Sequence, residues 1–163
     1  MIVSEDFWKR IRTVQRIHQR LYAHGLGWLV GWIILLLEHT GRKSGKKYFT
    51  PLQYEKMNGN YYVGAGRGLK ADWYQNLAAD NRVRVKVGRL QFDGWAELIQ
   101  DIPKVIEFLN YRLKKHPLMI GLIMKIHKLP FHPNEHQLEQ LAATLVIVAL
   151  HPQISTAQDE QAV

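Results

Sequence analysis

Cysteine is absent from the 163 residues, which excludes disulfides, thiolate metal sites and a cysteine nucleophile, and fits a reducing compartment. No apolar run approaches the ~20 residues that a spanning helix needs. The most apolar stretch, residues 26–37, is broken by Gly27 and Gly31, and residues 118–126 are shorter still. Acid is scarce as well: 14 Asp and Glu stand against 22 Lys and Arg, a formal charge of +8. Such a balance calls for an anionic partner, whether nucleic acid, acidic lipid or a polyanionic cofactor. The dinucleotide fingerprint is missing, because Gly64-x-Gly66-x-Gly68 lacks the strand–helix unit and the distant acid. Carboxylate pairs at catalytic spacing are not apparent. His132 and His136 are four apart, but Pro133 puts His132 at or before a helix start and the HExxH order is absent. No metal site is expected. Nor is an export leader, since residues 1–24 are crowded with charge where an apolar stretch is needed.

What is present reads as one mainly β domain over residues 1–152, followed by a disordered tail at 153–163. Ser4 can cap a helix whose first turn carries Glu5 and Asp6. Phe7, Ile11, Val14, Leu21 and Tyr22 fall on one face of it, opposite Lys9, Arg12, Arg16 and Arg20. Packing on the domain is the default for such a helix; resting on an anionic membrane is the alternative.

A buried strand is predicted at 33–39. Strands at 48–55 and 60–64 join at Met57-Asn58-Gly59, where Asn-Gly signals a hairpin, and Pro51 requires an edge or bulge. Residues 72–80 read as a short helix capped by Asp72. VRVKV at 83–87 alternates as a half-buried strand does, and 90–98 forms another beyond Gly88. Asp101 and Pro103 start a helix through about Lys115, Asn134 begins one to Thr144, and LVIVAL at 145–150 suits a buried closing strand. Short antiparallel strands with one inserted helix predict a small barrel of about six strands, with an N-terminal helix and two C-terminal helices outside.

Two of the strands end in glycine-rich, cationic segments: Thr40-Gly41-Arg42-Lys43-Ser44-Gly45-Lys46-Lys47 and Gly64-Ala65-Gly66-Arg67-Gly68. Glycine lets backbone bend and approach a ligand closely, while Arg and Lys supply fixed charge. Together they predict a site for an elongated anion carrying phosphate or several carboxylates.

LLLEHTGRKSGKKYFTPLQYE, then NYYVGAGRG and DWYQNL, resembles the deazaflavin (F420)-dependent nitroreductase and F420H2-dependent quinone reductase family. The resemblance covers roughly residues 35–98 and implies a split β-barrel related to FMN-binding flavoreductases. It implies that Arg42, Lys43, Ser44 and Gly45 hold the cofactor's phosphate and linker, and that Lys46 and Lys47 add charge near its polyglutamate tail. It further implies that Pro51 and Leu52 lie beside the ring, that Ala65, Gly66 and Arg67 run along it, and that Trp73 and Tyr74 line the same cleft. Gly66 and Arg67 replace the family's common serine and lysine, and arginine keeps charge while changing geometry. Tyr74 and Tyr111 are the candidate proton donors.

The implied function is hydride transfer from F420H2 to a quinone, nitro compound or similar electrophile. FMN is the alternative cofactor, and non-catalytic binding of a flavin or fatty-acid-like ligand the alternative function. Nucleic acid is not expected, because the basic residues form no single stripe. A cytoplasmic protein, peripheral on the inner membrane face through its N-terminal helix, and a homodimer complete the expectations.

Overall fold

The computed structural model describes residues 34–153. The N-terminal helix expected from Ser4, the residues 26–33 and the tail beyond Gln153 lie outside the described residues. Six strands, β1 (Ile34–Thr40), β2 (Lys47–Met57), β3 (Asn60–Ala65), β4 (Arg82–Val87), β5 (Leu90–Ile99) and β6 (Val146–Pro152), close an antiparallel barrel in the order β1-β2-β3-β6-β5-β4. Helix α1 (Asp72–Ala79) is inserted between β3 and β4, and α2 (Ile102–Lys115), α3 (Pro117–Ile126) and α4 (Glu135–Ala142) lie between β5 and β6.

Strand alternation sorts the side chains into two cores. Leu35 and Leu37 of β1, Val63 of β3, Val83 and Val85 of β4, and Val148 and Leu150 of β6 fill the barrel interior. Ile147 and Ala149 of β6 point the other way, into a second core with Val105, Phe108, Ile120, Met124 and Leu138 of the outer helices. That double burial is why β6 reads as a continuous apolar run while β4, covered on one face, alternates. The hairpin turn forms at Asn58 and Gly59, both with positive φ (50° and 81°), as a primed two-residue turn requires. Pro51 is paired on one side with Leu36, whereas β3 joins β2 only from Tyr54 onward, so the proline occupies a half-open stretch of strand.

Three expectations are corrected. Three helices, not two, follow β5 among the described residues. Residues 118–126 are helical because Pro117 opens the first turn and Ile120 and Met124, four apart, bury one face. The cap of α1 is Ala71, with Asp72 inside the first turn, where its charge favours the helix N-terminus. Gln153 is still tied to the sheet, donating its backbone N–H to Asp93 O at 2.9 Å. The capping of α2 by Asp101 matches the sequence reading, and the helix expected from Asn134 is present as α4, with the Asn134 side chain as its cap.

Gly94 marks a close crossing of strands, where an added Cβ would lie 2.1 Å from the His151 carbonyl oxygen. Because that obstacle is backbone, Gly94→Ala must push β5 from β6, at a cost of about 1–3 kcal/mol. A urea midpoint for the variant within error of the parent's would remove this constraint.

Candidate functional site

Thr40 pairs with Lys47 across the β1–β2 loop, and Glu38 pairs with Arg84 on β4, so the first glycine loop and the start of β4 share one end of the barrel. Helix α1 runs into β4 at that end, bringing the second glycine segment with it. The first loop closes on itself: Gly41 donates to Lys46 O at 2.8 Å and Gly45 to Gly41 O at 2.8 Å, with Gly45 at φ +64°. A Cβ at Gly41 would sit 2.4 Å from the ring of exposed Tyr48, which would have to turn away.

Arg42 ties this loop to α1. Its backbone N–H donates to Asn76 Oδ1 at 3.1 Å and its Nη1 to the same oxygen at 2.8 Å. Nη2 pairs with Asp72 Oδ1 at 3.2 Å and donates to Gln75 Oε1. Gln75 in turn donates from Nε2 to Leu69 O at 3.0 Å, in the turn after the second glycine segment. Arg42 and Gln75 therefore join the two predicted loops through α1, and the loops lie on one side of the molecule.

A buried relay continues inward. With Asn76 Oδ1 taken by Arg42, its Nδ2 donates to His39 Nδ1 (3.3 Å), which leaves His39 Nε2–H to donate to Thr50 Oγ1 (3.0 Å). His39 is 2% exposed, and burial pushes its imidazole down to about 4. The unfolded chain protonates this histidine near its ordinary 6.5, so stability is full above that pH and falls as the pH drops toward about 4. The loss is on the order of 2–3 kcal/mol. Subtracting the stability–pH curve of His39→Gln isolates this contribution, and superimposable curves would assign the acid sensitivity elsewhere.

The predicted site residues divide by exposure. Lys43, Ser44, Gly45, Lys46, Gly66 and Arg67 are exposed, Leu52 and Trp73 half-buried, and Pro51 and Ala65 buried. Lys47 is paired with Glu38 at 3.4 Å, whereas Lys43 and Lys46 have no ion-pair partner among the described residues. Lys43 and Lys46, uncompensated and on either side of Ser44 in the chain at a glycine turn, suit phosphate or carboxylate oxygens. That donor set fits the charged portion of the implied cofactor. Arg42, by contrast, is spent on holding the loop.

Both tyrosines are placed away from the loops' exposed face. Tyr74 is 4% exposed in the barrel core, and its hydroxyl accepts from Gln100 Nε2 at 2.8 Å. Tyr111 lies on α2 with Lys115 Nζ 5.3 Å from its ring centroid, and Lys115 pairs with Glu55 near the opposite end of β2 from the first loop. The structure thus does not bring the two tyrosines to one point. Sequence reasoning missed His39, Asn76 and Gln75. The inward alternation Leu35, Leu37, His39 and the Asp-Trp-Tyr-Gln-Asn run were the signals available for them. An open hollow of about 550 Å³ on the outer face of β1, β4 and β5 is lined by Lys47 but by none of the other residues assigned to the cofactor. Its charges are matched internally, Arg82 to Asp80 at 2.9 Å and Arg84 to Asp93 at 2.7 Å, leaving little net field for a ligand.

A barrel closed in this order, with helices outside it and two linked glycine–cation loops at one end, is a split barrel of the flavin- and deazaflavin-reductase class. The family model described as F420H(2)-dependent quinone reductase matches residues 9–117. The chain belongs to that family. A Mycobacterium tuberculosis protein named as a candidate F420H(2)-dependent quinone reductase is 39% identical over 57 residues, 33% of this chain and 48% of the relative. The aligned stretch is about half of that relative's length. A Listeria innocua protein designated a candidate pyridoxamine 5'-phosphate oxidase superposes with a TM-score of 0.53 at 12% identity, covering 84% of this chain and 94% of its own. A protein solved as a domain-swapped dimer gives 0.53 at 21% identity, covering 91% and 100%. These two likenesses support the fold.

Proposed function

We propose that this protein is a reductase that uses F420H2 to reduce a quinone or a related electrophile such as a nitro compound. The observation that carries the reading is the joining of the two cationic glycine loops by Arg42, Gln75 and α1, within a chain of this family. When bound, the reduced deazaflavin supplies the hydride. Lys43, Lys46 and the Ser44 hydroxyl hold its phosphate and carboxylates. The backbone at Ala65 and Gly66 offers close approach to a flat ring, with Leu52 and Trp73 as its apolar neighbours. With Tyr74 buried on Gln100 and Tyr111 beside Lys115, the proton that completes reduction is assigned to solvent.

Parallel titrations with F420 and FMN, followed by oxidation of F420H2 with a soluble quinone, test the proposal. Tight F420 binding with quinone-dependent oxidation is expected. Saturable FMN binding without F420 binding would replace the cofactor, and F420 binding without turnover would leave a carrier. A homodimer, implied by the resemblance, is proposed alongside and is checked by sedimentation equilibrium. Among the described residues no helix is long and apolar enough to cross a membrane.

A further inference from the structure

The most exposed large apolar side chains among the described residues are Leu118 at 79% and Leu122 at 62%. They stand four apart on α3 and so share one face. Exposed Lys125 extends that face, while Ile120 and Met124 turn into the outer core. From residue 108 to residue 134 the sequence holds no Asp or Glu, yet it holds Arg112, Lys114, Lys115, Lys125 and Lys128. Arg112 and Lys115 are paired with Glu55, which leaves Lys114 and Lys125 as exposed positive charge at the two ends of the helix that carries the leucine pair.

We propose that α3 docks the protein on an anionic phospholipid bilayer. Leu118 and Leu122 enter the boundary between headgroups and acyl chains, and Lys114 and Lys125 meet lipid phosphates. A ten-residue helix is about 15 Å long and lies in the interface rather than across it. Lysine suits this rim because its stem stays with the leucines while its ammonium reaches the headgroups. A second copy of the chain is the poorer occupant, since a two-fold contact would set the cationic rim against itself. Met119 of the same helix reaches β2, where Gln53 Nε2 donates to its Sδ at 2.9 Å, while neighbouring Leu52 faces the other way, into the barrel. The docking itself is independent of the reductase reading.

The test is co-sedimentation of the full chain with vesicles of phosphatidylcholine alone, or mixed with phosphatidylglycerol. Binding to the mixed vesicles, and its release at high salt, is expected. Leu118→Gln with Leu122→Gln should weaken it at least about tenfold, and Lys114→Glu with Lys125→Glu should do likewise. Because these side chains are exposed, melting temperature and F420 affinity should stay at parental values, which separates this outcome from failure of the cofactor reading. Parental vesicle binding by the leucine double variant would overturn the proposal, as would no binding to anionic vesicles. So would self-association that the same variant abolishes without any vesicle binding, which would make the face an interface between copies.

Discussion

Glu55→Gln is expected to cost the fold about 3–5 kcal/mol, the penalty for removing one partner of a buried ion pair. Glu55 is 3% exposed on the outer side of β2 and is surrounded by Arg112 Nε at 3.4 Å, Lys115 Nζ at 3.1 Å and His116 Nε2 at 3.4 Å. Those three partners differ in what they can do once the carboxylate is gone. Lys115 and His116 are 44% and 37% exposed and can turn to water. Arg112 is 13% exposed, with Nε and Nη2 lacking a hydrogen-bond partner in their buried setting. Burial already pushes its guanidinium down, against the pull of Glu55. The neutral amide would keep the shape of Glu55 and leave the arginine's charge uncompensated.

Equilibrium urea unfolding gives the number, and the double variant Glu55→Leu with Arg112→Leu gives the control. Since the pair as a whole repays little more than its desolvation, the double variant should recover most of the loss. A Glu55→Gln cost below about 1 kcal/mol would mean that water reaches Arg112 and that the cluster is a surface one. Nothing in this prediction involves the cofactor.

Replacing Lys43 and Lys46 together by alanine should weaken F420 binding by about 10–100-fold and leave the melting temperature unchanged. Each ammonium is exposed and has no ion-pair partner among the described residues, so folding loses nothing when it goes. The two charge-assisted contacts to phosphate or carboxylate together contribute on the order of 1.4–2.8 kcal/mol, and every 1.4 kcal/mol is tenfold in affinity. The salt dependence of binding should flatten in the same variant, because two screened attractions have been removed.

Arg42→Ala offers the contrast. It should also weaken the cofactor, but together with a fall in melting temperature, because it strips partners from Asn76, Gln75 and Asp72. If the lysine pair can be removed with F420 affinity intact, the phosphate end of the cofactor lies elsewhere. If Arg42→Ala leaves the melting temperature alone, the arginine is not the clamp described here.

How much of this was legible in the sequence depends on how local each feature is. The six strands, the Asn58-Gly59 turn and the caps at Asp101 and Asn134 follow from period-two alternation, positive-φ turn chemistry and side-chain oxygens placed to accept from nearby amides. These are decided within a few residues. The helix at α3 was not legible in the same way, because nine nearly unbroken apolar residues carry no clear period and Gly121 reads as a breaker. It is accommodated because Gly121 lies against the ring of Phe131, where an added Cβ would meet it at 2.3 Å.

Motif and role also parted company at the first loop. Arg42 and Lys43 are neighbours in one cationic run, and nothing in that run says which is a clamp and which a ligand. Arg42 meets Asn76 34 positions away, while Lys43 meets no partner among the described residues. The sequence alone determined the barrel, its cationic glycine loops and their likeness to a family, because side-chain period, backbone freedom and charge are properties of short segments. Only the tertiary structure decided that Arg42 is committed, that Tyr74 is buried and that Glu55 is clasped from 60 positions away by Lys115. Burial and pairing belong to groups that the chain brings together from a distance, and their energies exist only once water has been excluded between them.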